Sequence, residues 1–199
     1  LLVKKNIRID FAYTSYLKRA NSTLKIILEN MKLENIGFTK SWEFNERHYG
    51  SLTGLNKSEM KEQLGEEKIK IYRRSWDIAP PELSEDSEFN PRNDIIYNGI
   101  NEDAIPNTES LKDTYDRVIP YFNINIRPKI LAGKNVIIAA HGNSLRALCK
   151  LLFNISNENI NKLEIPTGNP LLVKLDSDLK FISAYYLDET RAQTIIQNK

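Results

Sequence analysis

One apolar run constrains the fold of this chain more than any other feature. Residues 135–140 read NVIIAA, and His141 follows directly. A continuous apolar segment of this length is typical of a strand that is buried on both faces of a parallel sheet. In such sheets ligands bind at the carboxyl ends of the strands, so we expect His141 to lie at a binding edge. The residues after it have apolar positions at helical spacing: Leu145, Leu148, Cys149 and Leu152.

The rest of the chain alternates between strand and helix patterns. Helices are predicted from about Tyr16, after Asn56, and from near Thr108, where Pro120 should kink the helix. The predicted strands are IDFAYT at 9–14, GFTKSWEF at 37–44, and the pair PLLVKLD at 170–176 and KFISAYYLD at 180–188. This order predicts an α/β fold of three layers, α/β/α, with a mostly parallel sheet, in one domain over residues 1–199.

The helix after Asn56 has clear boundary signals. Asn56 is a good N-cap and Glu59 stands three residues later, as in a capping box. Gly65 is a plausible end. Residues 78–107, which are rich in acidic, Pro and Asn residues, are interpreted as a surface excursion.

Composition excludes several classes of protein. The net charge of +2 is too small to argue for a nucleic-acid or membrane partner. The single cysteine, Cys149, excludes a disulfide within these residues and fits a reducing, cytoplasmic setting. Cys149 lies on an apolar stripe, which favours core packing over reactivity. No histidine or cysteine cluster has metal-ligand spacing, so no metal site is predicted.

The segment HGNS is a candidate anion site. Gly142 allows a ligand to approach the backbone, and Asn143 and Ser144 place polar groups at a helix start, where free N–H groups favour an anion. A protonated His141 would strengthen it. The alternative is a histidine that only caps the helix, and the local pattern favours neither interpretation.

A second polar cluster is NERHYG. Glu46 beside Arg47 could act as an acid or base, although a surface ion pair is the commoner explanation of such neighbours. Arg73 and Arg74 could clamp a phosphate or carboxylate, but a solvated helix face is favoured from the pattern alone. For His48 a structural role is favoured over a nucleophilic one.

Several segments together resemble the cofactor-dependent phosphoglycerate mutases of the histidine phosphatase superfamily. The specific matches are NERHYG with GLNK, YRRSWD, and AAHGNSLRAL. YTSYLKRA, IPTG and AYYLD extend the match over nearly the whole chain, with compatible spacing.

The resemblance implies exchange of phosphate between the 2- and 3-positions of glycerate, in glycolysis and gluconeogenesis, with 2,3-bisphosphoglycerate as primer and no metal. Glu46 would give and take the hydroxyl proton, and His141 would stabilise the phosphoryl group in transfer. The substrates would be small phosphoglycerates, in a cytoplasmic homodimer or homotetramer. The implied substrate-binding residues are Arg19, Arg47, His48, Tyr49, Lys57, Arg73, Arg74, Gly142 and Asn143.

The sequence departs from this family at one essential motif. The family's phosphoryl-carrying histidine lies in an Arg-His-Gly motif on a central first strand, and these residues do not contain it. We expect the natural chain to carry that strand, since its loss would leave neighbouring strands unpaired. A true truncation, an inactive anion-binding remnant, and a bisphosphoglycerate mutase or phosphatase are the alternatives.

Overall fold

The structure, a computed structural model, describes residues 1–195, except for the side chains of Lys57 and Gln63. It forms two compact units. The first consists of Leu1–Glu46 and the chain from Arg117 onward, and the second is Arg47–Asp116. The single domain over residues 1–199 stays a prediction.

A parallel sheet lies at the centre of the first unit. It contains β1 (Phe11–Thr14), β2 (Thr39–Lys40) and β3 (Val136–Ala139) in the order β2-β1-β3. Thr14 pairs with Ala139, so the carboxyl ends of β1 and β3 lie side by side. This sheet confirms the predicted α/β class with mostly parallel strands.

The prediction of a strand over residues 37–44 is mostly wrong. Only Thr39–Lys40 is extended, because the chain then turns into a 3-10 helix at Trp42–Phe44. The amides of Phe44 and Asn45 donate to the carbonyls of Ser41 and Trp42, and the Phe44 ring is fully buried. Burial of this ring therefore favours a turn over a longer strand.

Helical segments cover both faces of the parallel sheet. Helix α1 (Lys18–Met31) places Leu24 and Leu28 against Ala12 and Ala139. On the other face, the Tyr13 hydroxyl donates to the Asn125 carbonyl, and Lys129 lies 4.2 Å from the centre of the Phe11 ring. These contacts agree with the expected α/β/α layering.

The segment on the second face is not a regular helix. It consists of α3 (Leu111–Tyr121), a π-helical turn (Phe122–Ile126) and α4 (Arg127–Leu131). Pro120, at which a kink was predicted, lies inside α3, and the departure from regular helix is a π-turn that begins two residues later at Phe122.

After β3 the chain enters α5 (Gly142–Leu152) and then the antiparallel strands β4 (Leu171–Leu175) and β5 (Phe181–Tyr186), as predicted. They form a separate two-stranded sheet. Within residues 1–195 no strand pairs with the second edge of β3. Only Ala139 of β3 is fully buried and the three residues before it are partly buried, so the predicted burial is complete only at the carboxyl end of the strand.

The second unit contains α2 (Lys57–Arg74) and a series of 3-10 turns. The Asn56 side chain accepts from the amides of Ser58 and Glu59, and Glu59 accepts from the Asn56 amide at 2.7 Å, which confirms the capping box. Gly65 interrupts the helix with φ of 76°, as its residue type predicted. No helix in the described part of the chain is long and apolar enough to cross a membrane.

Candidate active site

His141 lies where the sequence predicted, between the end of β3 and the first residue of α5. Its Nε2 is 2.8 Å from the Ser15 hydroxyl, which follows the neighbouring strand β1. The Nε–H of Arg19 donates to its Nδ1 at 3.1 Å. Because a guanidinium can only donate, Nδ1 must be an acceptor, and the ring proton is therefore on Nε2 and donated to Ser15.

The surroundings of the imidazole keep it neutral. Burial lowers the pKa of His141 to about 4, and the cations of Arg19 and Arg117 act in the same direction, while the Glu46 carboxylate opposes them. At neutral pH this ring is an uncharged donor rather than the protonated group considered above. Its single N–H is donated to Ser15 in this structure, and an oxyanion that replaced Ser15 as the acceptor would be bound without the ring gaining a proton.

Ser15 is held from several sides. It is fully buried, its hydroxyl accepts from the Leu17 amide at 3.1 Å, and its carbonyl accepts from the Asn21 amide group at 2.8 Å. One residue earlier, the Thr14 hydroxyl donates to the Ala139 carbonyl at 2.8 Å. These bonds lock the ends of β1 and β3 together, so the position of Ser15 relative to His141 is fixed by the sheet.

At the start of α5, Ser144 caps the first turn and Gly142 leaves room for a ligand. The His141 amide donates to the Ser144 hydroxyl at 3.2 Å. A Cβ placed on Gly142 would meet no described heavy atom within 4 Å, apart from its chain neighbours and the backbone of its own helix. A ligand therefore has room beside the first turn, where N–H groups and the helix dipole favour negative charge.

Glu46 lies against the same helix start. Its Oε1 accepts from the Asn143 amide at 3.2 Å and from the Asn143 side-chain nitrogen at 3.0 Å. Arg146 donates to Asn143 Oδ1 at 2.7 Å, and this bond turns the amide so that its nitrogen points to Glu46. Two donors on one oxygen fix the direction of this side chain at the start of α5.

The remaining predicted residues lie in the second unit. Arg47 is buried, stacks 4.6 Å from the centre of the Tyr49 ring and donates to the Tyr72 carbonyl at 3.0 Å. That carbonyl directly precedes Arg73 and Arg74, which are exposed at the end of α2. This unit therefore collects three arginines around the end of one helix. Lys57 begins the same helix, and its side chain lies outside the described part.

His48 is anchored by its backbone. Its amide donates to the buried Glu109 carboxylate at 2.8 Å, and its carbonyl accepts from the Glu109 amide at 2.9 Å. Its ring Nδ1 accepts from the Gly50 amide at 3.3 Å. These bonds favour the structural role over the nucleophilic one.

The structure thus gathers Arg19, Glu46, His141, Gly142 and Asn143 in the first unit. It also places three residues there that the sequence analysis did not select: Ser15, Arg117 and Arg146. For Ser15 a signal existed, since a polar residue after one parallel strand should face a polar residue after the next. Arg117 and Arg146 act mainly on backbone or amide groups, which leave no such pattern. Among the described residues no group of three or more His, Cys, Asp or Glu side chains could hold a metal ion.

Comparison with known families agrees with this fold. The model of the histidine phosphatase superfamily, branch 1, matches residues 3–95 and 84–187. The chain belongs to this superfamily. A solved mycobacterial glucosyl-3-phosphoglycerate phosphatase has a similar fold, with a TM-score of 0.62 and 17% identity over 93% of this chain and 78% of that one.

Two curated relatives within this superfamily are about half identical to the chain. The chain is 50% identical to the 2,3-bisphosphoglycerate-dependent phosphoglycerate mutase of Pelagibacter ubique, over 96% of its length and 79% of that protein. It is 52% identical to the enzyme of the same name from Lachnoclostridium phytofermentans, over 94% of its length and 76% of that protein.

Proposed function

We propose that this protein is a phosphoglycerate mutase that interconverts 2- and 3-phosphoglycerate and is primed by 2,3-bisphosphoglycerate. The observation that carries the proposal is the joint placement of Glu46 and His141 at the start of α5. One group can move a proton, and the other can donate to a phosphoryl oxygen. The names of relatives at about half identity support the substrate class.

Phosphoryl transfer needs mainly positioning and charge stabilisation, and the first unit supplies both. Glu46, oriented by Asn143, takes the proton of the substrate hydroxyl as that oxygen attacks phosphorus and the bond from phosphorus to the carrier histidine breaks, and it returns the proton in the reverse step. His141 donates from Nε2, and Arg19 offers a cation beside it. The arginines of the second unit, with Tyr49 and Lys57, are proposed to hold the remaining phosphate and carboxylate groups.

The residues fit a bisphosphorylated primer. The described site combines an uncharged imidazole donor, the accessible helix start at Gly142 and the Arg19 guanidinium, all of which suit phosphate oxygens. When bound, 2,3-bisphosphoglycerate supplies the phosphoryl group that loads the carrier histidine. We assign that carrier to the Arg-His-Gly motif implied by the family, and not to His48 or His141. We also propose cytoplasmic action on free phosphoglycerates, without metal, in a homo-oligomer.

Labelling tests the proposal. Protein expressed from its natural gene should take up radioactive phosphate from labelled 2,3-bisphosphoglycerate as an acid-labile, base-stable phosphohistidine, and intact-mass measurement should count one phosphoryl group. Peptide mapping should find it on neither His48 nor His141. Absence of label would refute the phosphohistidine mechanism, and label on a peptide containing His141 would refute its supporting role.

A further inference from the structure

Residues 41–46 form the loop that carries Glu46, and one side chain from a distant part of the chain holds this loop. The Arg117 guanidinium lies on α3 and donates to carbonyl groups of Trp42, Glu43, Asn45 and Glu46. The distances to Asn45 and Glu46 are 3.1 and 3.4 Å. A planar fork with five donors suits several carbonyls at once, which a lysine ammonium cannot match.

Neighbouring contacts fix the same loop in the same unit. The Tyr121 ring, one helical turn after Arg117, packs edge-on against Phe44 with centroids 5.5 Å apart. The buried Asn45 side chain accepts from the Tyr16 amide at 2.9 Å, next to Ser15. The loop is therefore tied to the end of β1 on one side and to α3 on the other.

We infer that Arg117 is a positioning residue for Glu46, an inference that rests on the proposed function. Its contact with the Glu46 carbonyl fixes the backbone from which the carboxylate reaches Asn143. A loop with few backbone ladder bonds would otherwise let this carboxylate drift. A misplacement of about 1 Å can cost roughly a hundredfold in rate.

The first test measures the loop without reference to activity. Arg117→Met removes every donor while keeping a long side chain, and Arg127→Met is the matched control at an exposed arginine of the following helix. Hydrogen exchange at the amides of Phe44 and Asn45, which are bonded to Ser41 and Trp42, should become faster in Arg117→Met alone. Unchanged exchange would overturn the inference, whether or not the protein proves to be a mutase.

The second test uses turnover. In Arg117→Met, kcat should fall roughly tenfold to a hundredfold while KM changes less than about threefold. Arg117→Lys should recover only part of the loss, and it also covers the case in which the methionine variant fails to fold. Full recovery by lysine would show that only the charge matters, and would contradict the inference.

A double-mutant cycle separates positioning from general damage. If Arg117 acts through Glu46, Arg117→Met should reduce kcat little further in a protein that already carries Glu46→Gln. Multiplicative losses would contradict the inference. A wild-type protein without mutase activity would refute the proposed function instead, and the exchange result would still decide whether Arg117 holds the loop.

Discussion

Arg19 donates a hydrogen bond to His141, and because a guanidinium can only donate, this bond fixes the tautomer of the imidazole. The guanidinium Nε–H donates to Nδ1 at 3.1 Å, which leaves the ring proton on Nε2 beside Ser15. The same cation contributes to the lowered pKa of His141. Arg19 thus selects the tautomer of the histidine proposed to assist phosphoryl transfer, and burial together with this cation keeps the ring uncharged.

Removing this arginine should raise the pKa of His141. In Arg19→Met we expect it to move from about 4 part of the way towards the ordinary value of 6.5, since burial remains. NMR titration of the imidazole protons, assigned with His141→Gln, measures this directly. Arg8→Met, at an exposed arginine that pairs with Asp10, is the control and should leave the titration unchanged. An unaltered His141 titration in Arg19→Met would refute the charge effect.

The lowered pKa of His141 also predicts how stability depends on pH. Because the unfolded histidine takes up a proton near pH 6.5 and the folded one only near 4, the free energy of unfolding should decrease as pH falls through that window. Above about pH 6.5, His141 should not contribute to the pH dependence of the free energy of unfolding. Asp188, whose pKa is lowered to about 2 by Thr190 and Arg191, should act only at still lower pH.

Urea unfolding at a series of pH values checks this assignment. His141→Gln should show a smaller loss of stability between pH 6.5 and 4 than the wild type. Equal slopes in the two proteins would mean that His141 is not the group responsible.

Loss of the carboxylate at Glu46 should affect turnover more than binding. Glu46→Gln keeps the shape but removes proton transfer, so kcat should fall by about 10²–10⁴-fold with a small change in KM. Steady-state kinetics give both constants. Glu43→Gln, on the same loop and bonded through its side chain to Ser41, should retain most activity. A fully active Glu46→Gln protein would exclude the proton-transfer role.

The Cys149 thiol should be unreactive in the folded protein. It is 6% exposed on the inner face of α5, and burial raises its pKa to about 12, so almost no thiolate forms at neutral pH. A colorimetric thiol reagent should therefore modify it slowly in buffer and rapidly in denaturant. Rapid modification of the native protein at a peptide containing Cys149 would contradict this packing.

The sequence predicted the parts of the fold that depend on local pattern. The strand before His141, the helix after it and the capping box at Asn56 each follow from residues close together in the chain. The residues proposed for chemistry at this edge, Glu46 and His141, also came from short motifs.

Contacts over long sequence separations were harder to predict. Arg117 holds carbonyls more than 70 residues earlier in the chain, and any residue type could supply such carbonyls. The early end of β2 depends on how the Phe44 ring is buried. Neither feature has a periodicity that could be read from the sequence, whereas Ser15 could have been found from its place after β1.

Phosphorus NMR on 3-phosphoglycerate tests directly whether this protein is a mutase, because 2-phosphoglycerate, bisphosphoglycerate and inorganic phosphate give separate signals. Protein from the natural gene should form 2-phosphoglycerate to equilibrium, much faster after addition of catalytic 2,3-bisphosphoglycerate and with little inorganic phosphate. Release of inorganic phosphate as the main product would indicate a phosphatase. Absence of any conversion with the primer present would contradict the proposed mutase function.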